Sequence, residues 1–357
     1  MRRSDNGEDG IDILQRYPQV AGQPLAMAML CQVLKTKGLA GDAYALGLAA
    51  VTAAPGDTDV RDLVRATLSA GVPHWHAPML RDGPRNACYA QAIARAVTPG
   101  MRVLEIGTGA GLLSLLAARA GAQVVTCEAN PVVAAAAREI AWRNGLADRI
   151  TVISKYSTDL EIGQDLGEPA DLLMSELFDD ALFGDGIVDV ITDARARLLR
   201  PGAPIVPPRA ELRCALVSLE HPAEWPLGMV EGFDLSPFNL LAAPPPAALR
   251  ARNDGATRRS APVSLLAMDF EAASFGPTRE TATLISDGGP IDGVAQWLRV
   301  DFGAGVVFEN SPFDDSRSHW GAPINPLAEP IETVAGEAIA VTARLVSAQL
   351  LISARRT

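Results

Sequence analysis

The pattern of apolar and polar positions divides the chain into three segments of different texture. Between residues 12 and 70, apolar residues recur at helical spacing, notably in PLAMAMLCQVL and AYALGLAAVTAA. We therefore predict a helical N-terminal extension, residues 1–72, a central domain, residues 73–207, and a β-rich domain, residues 208–357. We expect the extension to pack on the central domain. The alternative is that it forms a second contact between two copies of the chain in a dimer.

Strand-like and helix-like runs alternate along the central domain. The strand candidates are RVLEIG, QVVTCE, RITVISK and ADLLMSE, and helix candidates such as LLSLLAARAG and VVAAAAREIAWRNG lie between them. This alternation favours an α/β, Rossmann-like arrangement, in which a parallel sheet has helices on both faces. Because such sheets bind ligands beyond the carboxyl ends of their strands, we expect the binding site there.

After LLRPGAPIVPPRAEL the chain consists of short apolar runs with Gly- and Pro-rich spacers. The runs PVSLLAMDF, GVAQWLRVDF, AIAVTARL and AQLLISA predict an all-β domain of the barrel type. A long irregular insert, HPAEWPLGMVEGFDLSPFNLLAAPPP, interrupts it. Loops of this length inside a compact domain are usually functional or contact a partner.

Composition narrows the classes of partner. Apolar residues make up 48% of the 357 residues, and the net charge is −11. This charge argues against nucleic acid or an anionic membrane as a partner and is compatible with a cationic substrate. The four cysteines and four histidines are scattered, so we expect no metal and a reduced, cytoplasmic compartment. The polar start MRRSDNGEDG predicts neither a signal peptide nor a membrane span.

A glycine-rich turn follows the first strand candidate. Glu105, Gly107, Gly109 and Gly111 form the pattern E-x-G-x-G-x-G, whereas a dinucleotide fingerprint needs its third glycine one position later. Glycine permits a positive φ and lets a ligand approach the backbone. Glu128 ends the second strand candidate, where a carboxylate can accept hydrogen bonds from both ribose hydroxyls. With no phosphate to hold, this arrangement suits S-adenosylmethionine better than NAD. A tight turn beside a solvated glutamate is the alternative.

Two further stretches, MLRDGPRNACYAQAI (residues 79–93) and SELFDDALFGDG (residues 175–186), complete an ordered set of motifs. With this set the chain resembles the protein arginine methyltransferase family, especially its monomethylating type III branch. The resemblance begins near Trp75 and includes GFDLSPFN, which is similar to part of the family's dimerisation arm, and SHW, Ser318–Trp320, which is similar to its Thr-His-Trp loop. It implies a class I methyltransferase domain followed by a β-barrel, S-adenosyl-L-methionine as cofactor, and a homodimer with an arm at about residues 221–245.

The resemblance also implies a set of residues that contact the cofactor. They are Met79, Arg85, Glu105, Gly107, Gly109, Glu128, Thr158 and Asp159. Met79 would pack near the sulfonium, and Arg85 would bind the methionyl carboxylate. Glu105 and the Gly107–Gly109 turn would line the amino-acid part and the ribose of the cofactor. Glu128 would bind the ribose. Thr158 and Asp159 would meet the adenine. The alternative for Arg85 is an arginine on the surface of a helix. The alternative for Thr158 and Asp159 is a polar loop after a strand.

The same resemblance implies that Glu176, Asp185 and His319 are catalytic. Arginine is always protonated and its nitrogens are poor nucleophiles, while the methyl donor is also a cation. Two carboxylates can offset the repulsion and hold the planar guanidinium bidentately. His319 would orient a carboxylate or help to remove a proton, and Trp320 would stack on the guanidinium. An acidic surface loop, a structural histidine and a core tryptophan are the alternatives.

Departures from the family pattern bear on the acceptor. Asp185 stands where the family has a second glutamate, which retracts the carboxylate by one methylene. Asp179 matches an acid of the type III branch, so we predict transfer of one methyl group to a guanidinium ω-nitrogen. Free L-arginine, methylated for a specialised metabolite, is favoured over arginine in a protein. A peptide acceptor, an inactive cofactor-binding scaffold and another nucleophile are the alternatives.

Overall fold

The computed structural model describes residues 13–220, 227–241, 255–272, 279–315, 318–346 and 349–357. Backbone contacts divide the chain into two compact units. The first comprises the described residues of Met1–Leu80, Ile93–Glu176 and Asp193–Ala203, and the second those of Arg81–Ala92, Leu177–Thr192 and Pro204–Thr357. The chain passes from one unit to the other several times. The hydrophobic periodicity of a sequence does not reveal such crossings. The boundaries predicted after residues 72 and 207 stay predictions.

The first unit begins with the helices that the sequence predicted. They are α1 Ile13–Arg16, α2 Pro24–Thr36, α3 Ala40–Ala53 and α4 Thr58–Ser69. Met27, Cys31, Leu46 and Val60 are buried between them. Asp57 begins α4 as its N-cap, because its side chain accepts hydrogen bonds from the amides of the first helical turn. The helical extension is therefore a small helical bundle with its own apolar core.

A parallel sheet with flanking helices follows in the same unit, as predicted. Its strands lie in the order β3-β2-β1-β4, and α3 packs against the helix that follows β2. The strands are β1 Arg102–Ile106, β2 Gln123–Cys127, β3 Ile150–Ile153 and β4 Leu172–Ser175. The helices wholly within this unit are α5 His76–Leu80, α7 Leu112–Arg119 and α8 Pro131–Arg143, whereas α6 Gly83–Ala96 and α9 Ile187–Arg197 each have residues in both units. Among the described residues, no helix has both the length and the apolar character needed to cross a membrane.

The second unit is built mainly from antiparallel, barrel-like sheets, in agreement with the β-rich texture of the sequence. One sheet has the order β10-β6-β12-β13, with β14 on β12 and β9 on β6, and another has the order β11-β15-β16. The strands are β5 Ile205–Val206, β6 Arg209–Leu219, β7 Met229–Val230, β8 Phe233–Asp234, β9 Ala256–Arg258, β10 Val263–Asp269, β11 Arg279–Ile285, β12 Gly289–Asp301, β13 Val307–Glu309, β14 Ile324–Thr333, β15 Ala338–Val346 and β16 Gln349–Arg356. Leu212, Phe270 and Trp297 are buried in this core.

The long insert of the β-rich domain is described over residues 227–241. It forms the short β7–β8 hairpin and a 3₁₀ turn, Ser236–Leu240. Phe233 is 71% exposed and Phe238 is 54% exposed, so large apolar side chains of this segment face outward. The remainder of the predicted arm, including Trp225, lies outside the described residues.

Candidate active site

The turn between β1 and α7 has a backbone conformation that favours glycine. The φ angle is +86° at Gly107, +50° at Gly109 and +82° at Gly111. Gly111 is also the N-cap of α7, so the turn leads directly into the amides of that helix terminus. A Cβ on Gly109 would lie 3.9 Å from Cδ2 of His76, the nearest atom to it outside the turn. The absence of side chains here leaves the backbone open to a ligand.

Glu128 lies beside the glycine turn. Its Oε2 accepts a hydrogen bond from the amide of Gly109 at 3.0 Å, and its Oε1 accepts one from the amide of Asn130 at 2.9 Å. Asn130 in turn caps the N-terminus of α8. The structure therefore brings together the glycine turn and the acidic end of β2, which are 19 positions apart.

Glu105 points into the interior of the first unit. It is 1% exposed, and its Oε2 accepts hydrogen bonds from the hydroxyls of Ser114 on α7 and Thr126 on β2. Thr126 also shares a 2.6 Å hydrogen bond with Thr108 in the glycine turn. Burial raises the pKa of Glu105 to about 7, although the two hydroxyl bonds act in the opposite direction. These contacts fasten the turn to α7 and β2, and a direct contact of Glu105 with the cofactor stays a prediction.

The structure places the remaining predicted cofactor residues of the first unit after a strand, at Thr158 and Asp159, and in a helix, at Met79. Thr158 and Asp159 lie exposed in a 3₁₀ turn, Ser157–Asp159, that follows β3. Since β3, β2 and β1 are adjacent and parallel, this turn, Glu128 and the glycine turn follow strands that end at the same edge of the sheet. Met79 is buried in α5. Ligands of parallel α/β sheets bind at such an edge.

Arg85 belongs to the second unit and is buried. It is 2% exposed, which excludes the alternative of a surface arginine. Its Nη1 donates to Oδ1 of Asn86 at 2.7 Å, and its Cζ lies 4.8 Å from the centroid of the Tyr89 ring. A guanidinium held away from bulk water forms strong charge-assisted hydrogen bonds to a carboxylate. This environment suits the predicted contact with a methionyl carboxylate.

Asp82, for which the sequence indicated no role, holds the SHW loop. Its Oδ2 accepts hydrogen bonds from Nδ1 of His319 at 3.0 Å, from the amide of His319 at 3.0 Å and from Oγ of Ser318 at 2.9 Å. Its Oδ1 accepts one from the amide of Arg85. Burial alone raises the pKa of Asp82, but these hydrogen bonds outweigh it and hold the pKa below its ordinary value. The buried carboxylate therefore carries a charge that faces His319.

Trp320 is buried within the second unit. Its Nε1 donates to the carbonyl of Phe178 at 3.3 Å, and its ring packs edge-on against the ring of Phe178. The next amide, that of Gly321, donates to Oδ1 of Asp180 at 2.6 Å, while the carbonyl of Asp180 accepts from Nε2 of Gln296 at 2.8 Å. The SHW loop is thus fastened to the segment that follows Glu176 in the chain. Stacking of Trp320 on a guanidinium stays a prediction.

The loop that carries the two predicted substrate acids has a constrained backbone. Glu176 follows β4 and is half-buried, and Asp185 lies in a 3₁₀ turn, Gly184–Gly186, with its side chain outside the part that the structure describes. Between them, Leu182 is buried with a φ of +77°, which is rare for a side chain of this kind. Such strain persists only where the surroundings enforce it, and it is common at binding loops. The convergence of the two acids stays a prediction.

Comparison with known proteins identifies the family. Residues 86–194 match the family model of the ribosomal protein L11 methyltransferase. The chain is 38% identical over 275 residues to an arginine N(omega)-methyltransferase of Streptomyces achromogenes subsp. streptozoticus. The aligned region covers 76% of this chain and 75% of that relative. The chain belongs to the arginine methyltransferase family. It is also 42% identical over 142 residues to protein arginine N-methyltransferase 7 of Oryza sativa subsp. indica. That alignment covers 37% of this chain and 20% of that relative.

Solved structures show the same fold. The Trypanosoma brucei PRMT1 enzyme-prozyme heterotetrameric complex with AdoHcy matches with a TM-score of 0.67 and 23% identity, over 81% of this chain and 94% of that one. Protein arginine methyltransferase 10 of Arabidopsis thaliana matches with a TM-score of 0.61 and 19% identity, over 78% of this chain and 92% of that one. The predicted order of a Rossmann-like domain and a barrel-like domain is therefore confirmed.

S-adenosylmethionine is the cofactor of this methyltransferase, and the residues present fit it. Within the first unit, the glycine turn offers an open backbone and Glu128 lies at the end of β2. In the described ranges, no group of three or more His, Cys, Asp and Glu residues is arranged to hold a metal ion.

Several residues of the site were missed from the sequence. Asp82 precedes α6 in the order Asp-Gly-Pro, which is a helix-start signal that could have marked it. Ser114, Thr126 and Asp180 had no comparable signal. The hydrogen bond between Asp180 and Gly321, for example, joins positions 141 apart. Contacts of that range become visible only in the fold.

Proposed function

We propose that this methyltransferase transfers one methyl group from S-adenosylmethionine to an ω-nitrogen of free L-arginine or of a small guanidino compound. The observation that carries the proposal is the alignment with the Streptomyces arginine N(omega)-methyltransferase, which extends over 76% of this chain. The alignment with protein arginine N-methyltransferase 7 extends over only 37%. The net charge of −11 supports a cationic acceptor.

The proposed mechanism assigns a task to each residue around the acceptor. When bound, the cofactor supplies an electrophilic methyl group on a sulfonium. Glu176 and Asp185 would hold the guanidinium, offset its repulsion from the sulfonium and keep the acceptor nitrogen in line. That nitrogen loses one proton as it gains the methyl group. His319 would accept this proton at Nε2, since its Nδ1 donates to Asp82.

The acceptor is tested directly by product analysis. The purified protein is incubated with S-adenosylmethionine and either L-arginine or arginine-containing peptides, and the products are identified by mass spectrometry. We expect monomethylated free arginine and unchanged peptides. Methylated peptides together with untouched free arginine would contradict the proposal. The variant Glu176→Gln is the control, because it should bind S-adenosylhomocysteine without turning over either acceptor.

We also propose a homodimer. The described part of the insert, residues 227–241, resembles the family's dimerisation arm and exposes Phe233 and Phe238. Exposed aromatic side chains on one short segment are unusual for a surface that stays in water. A second copy of this chain would cover them.

A further inference from the structure

Arg197, the last residue of α9, holds the turn that carries Thr158 and Asp159. Its Nη1 donates to the carbonyl of Leu160 at 2.8 Å, and its Nη2 donates to the carbonyls of Thr158 at 3.2 Å and Ser157 at 3.4 Å. These contacts join residues 37 to 40 positions apart within the first unit. One guanidinium therefore fixes three carbonyls of a single short turn.

The guanidinium is itself held in place by Asp193, one helical turn earlier. Nε of Arg197 donates to Oδ1 of Asp193 at 2.7 Å, and Nη2 donates to Oδ2 at 2.5 Å. This bidentate pair sets the plane of the fork, so that the remaining N–H groups point at the turn. A lysine has no such fork and cannot reproduce this arrangement.

The direction of the carbonyls decides where the turn's amides point. In a trans peptide the C=O of one residue is antiparallel to the N–H of the next. Because the carbonyl of Ser157 points at Arg197, the N–H of Thr158 points to the opposite side. The far end of the turn is supported separately, since Asp165 accepts from the amide of Glu161 at 3.0 Å and from Lys155.

We infer that Arg197 is a positioning residue for the adenine end of the cofactor. Adenine offers a ring nitrogen that accepts and an amino group that donates, which an amide N–H and a carboxylate can meet together. The amide of Thr158 and the carboxylate of Asp159 are the complementary pair on this turn. The inference rests on the proposed function and on the contact of these two residues with adenine that the family resemblance implies. It adds that Arg197 sets the orientation of the turn without touching the cofactor.

The test compares binding of two ligands that differ only in the base. S-adenosylhomocysteine and S-inosylhomocysteine, in which an oxo group replaces the amino group, are titrated calorimetrically into the full-length protein. For Arg197→Met we expect the Kd of S-adenosylhomocysteine to rise about tenfold and the preference for adenine over hypoxanthine to shrink. The KM for S-adenosylmethionine should rise while kcat at saturation stays unchanged. Arg197→Lys should restore little of the loss.

Arg143→Met is the matched control. Arg143 is also the last residue of a helix and pairs with an acid one turn earlier, Glu139, at 2.9 Å. The control should bind both ligands like the wild type. Should Arg197→Met fail to fold, Asp193→Asn loosens the same fork and is expected to show the same loss of preference.

The outcomes separate this inference from the proposed function. A wild type that does not bind S-adenosylhomocysteine would overturn the cofactor site itself, and the inference with it. A wild type that binds, together with variants at Arg197 and Asp193 that keep the full preference for adenine, would overturn the inference alone. An equal loss of affinity for both ligands would also contradict it. That result would indicate that the whole binding site is less ordered, and not that Arg197 orients this turn.

Discussion

Nδ1 of His319 lies 3.0 Å from Oδ2 of Asp82, although 237 positions separate the two residues. The same oxygen accepts from the amide of His319, so the carboxylate fixes both the ring and its backbone. An ionised carboxylate can only accept, which places the proton of a neutral ring on Nδ1 and leaves Nε2 as an acceptor. The geometry is therefore compatible with the proposed transfer of a proton to Nε2.

Asp82→Asn should abolish most of the activity while the protein stays folded. An amide can donate to the ring as well as accept from it, so the tautomer of His319 is no longer fixed. Loss of a positioned base costs about 100-fold or more in kcat. Steady-state kinetics with free arginine measure the effect. Ser318→Ala is the control, since it removes the hydrogen bonds of Oγ to Asp82 and from the amide of Trp320 but leaves both hydrogen bonds between Asp82 and His319, and it should lower kcat only slightly. A kcat for Asp82→Asn equal to that of the wild type would contradict this role.

Glu105 should make the stability of the protein depend on pH in a defined window. Its pKa is about 7 in the folded protein against 4.5 for an ordinary glutamate, so the folded state binds this proton more tightly than the unfolded state. The associated stability is complete below the unfolded value and is lost as the pH rises through about 7. Relative to Glu105→Gln, the wild type should lose on the order of 3 kcal/mol between pH 5 and pH 8.

Urea denaturation of both proteins at several pH values checks this expectation. The glutamine resembles the neutral carboxyl and can accept from Ser114 and Thr126 at all pH values. Curves of stability against pH that run parallel for the two proteins would show that Glu105 is not the source. Asp62→Asn serves as a control for the loss of one acidic group on a helix surface, because the side chain of Asp62 on α4 is 69% exposed.

Gly184→Ala should displace the acidic loop. A Cβ at this position would lie 2.7 Å from the amide nitrogen and 2.8 Å from the Cβ of Asp179, and backbone atoms cannot yield at low cost. Overpacking of this kind destabilises by about 1–3 kcal/mol. We expect a large rise in KM for arginine with unchanged affinity for S-adenosylhomocysteine. Gly167→Ala is the control, because nothing lies within 4 Å of its added Cβ. Wild-type kinetics in Gly184→Ala would refute the expectation.

The strands and helices of the first unit could be predicted because their signal is local. The runs that became β1 to β4 are apolar and end at turn residues, and the glycine turn carries its own pattern. The direction of a side chain is different. Glu105 belongs to the glycine pattern, yet its carboxylate points to Ser114 and Thr126 in the interior. A motif fixes the position of such a residue but not the face of the strand on which its partners lie.

The acceptor side could be predicted only in part, because its contacts are long-range. His319 and Trp320 were found through their resemblance to a known loop, whereas Asp82 and Asp180 were not. Asp82 contacts His319, which is 237 positions away, and Asp180 contacts Gly321, which is 141 positions away. The helix-start signal could mark Asp82 only as a helix cap, and no local pattern requires an aspartate at position 180. Only the folded chain shows what each carboxylate holds.

The arm should be the source of dimerisation. Burying a large apolar side chain contributes about 1.5–3 kcal/mol, and a two-fold symmetric interface uses each side chain twice. Replacing Phe233 and Phe238 together by serine should therefore weaken the dimer by several orders of magnitude. Sedimentation velocity at micromolar concentration should show a dimer for the wild type and a monomer for the double variant.

Val334→Ser separates the arm from exposed apolar surface in general. Val334 is 71% exposed, like Phe233, but it lies in the turn between β14 and β15, away from residues 227–241 in sequence. The control should remain dimeric, because removing an isolated exposed side chain changes no interface. A wild type that sediments as a monomer would contradict the proposed homodimer. A double variant that stays dimeric would place the interface elsewhere on the chain, with the N-terminal helices as the next surface to truncate.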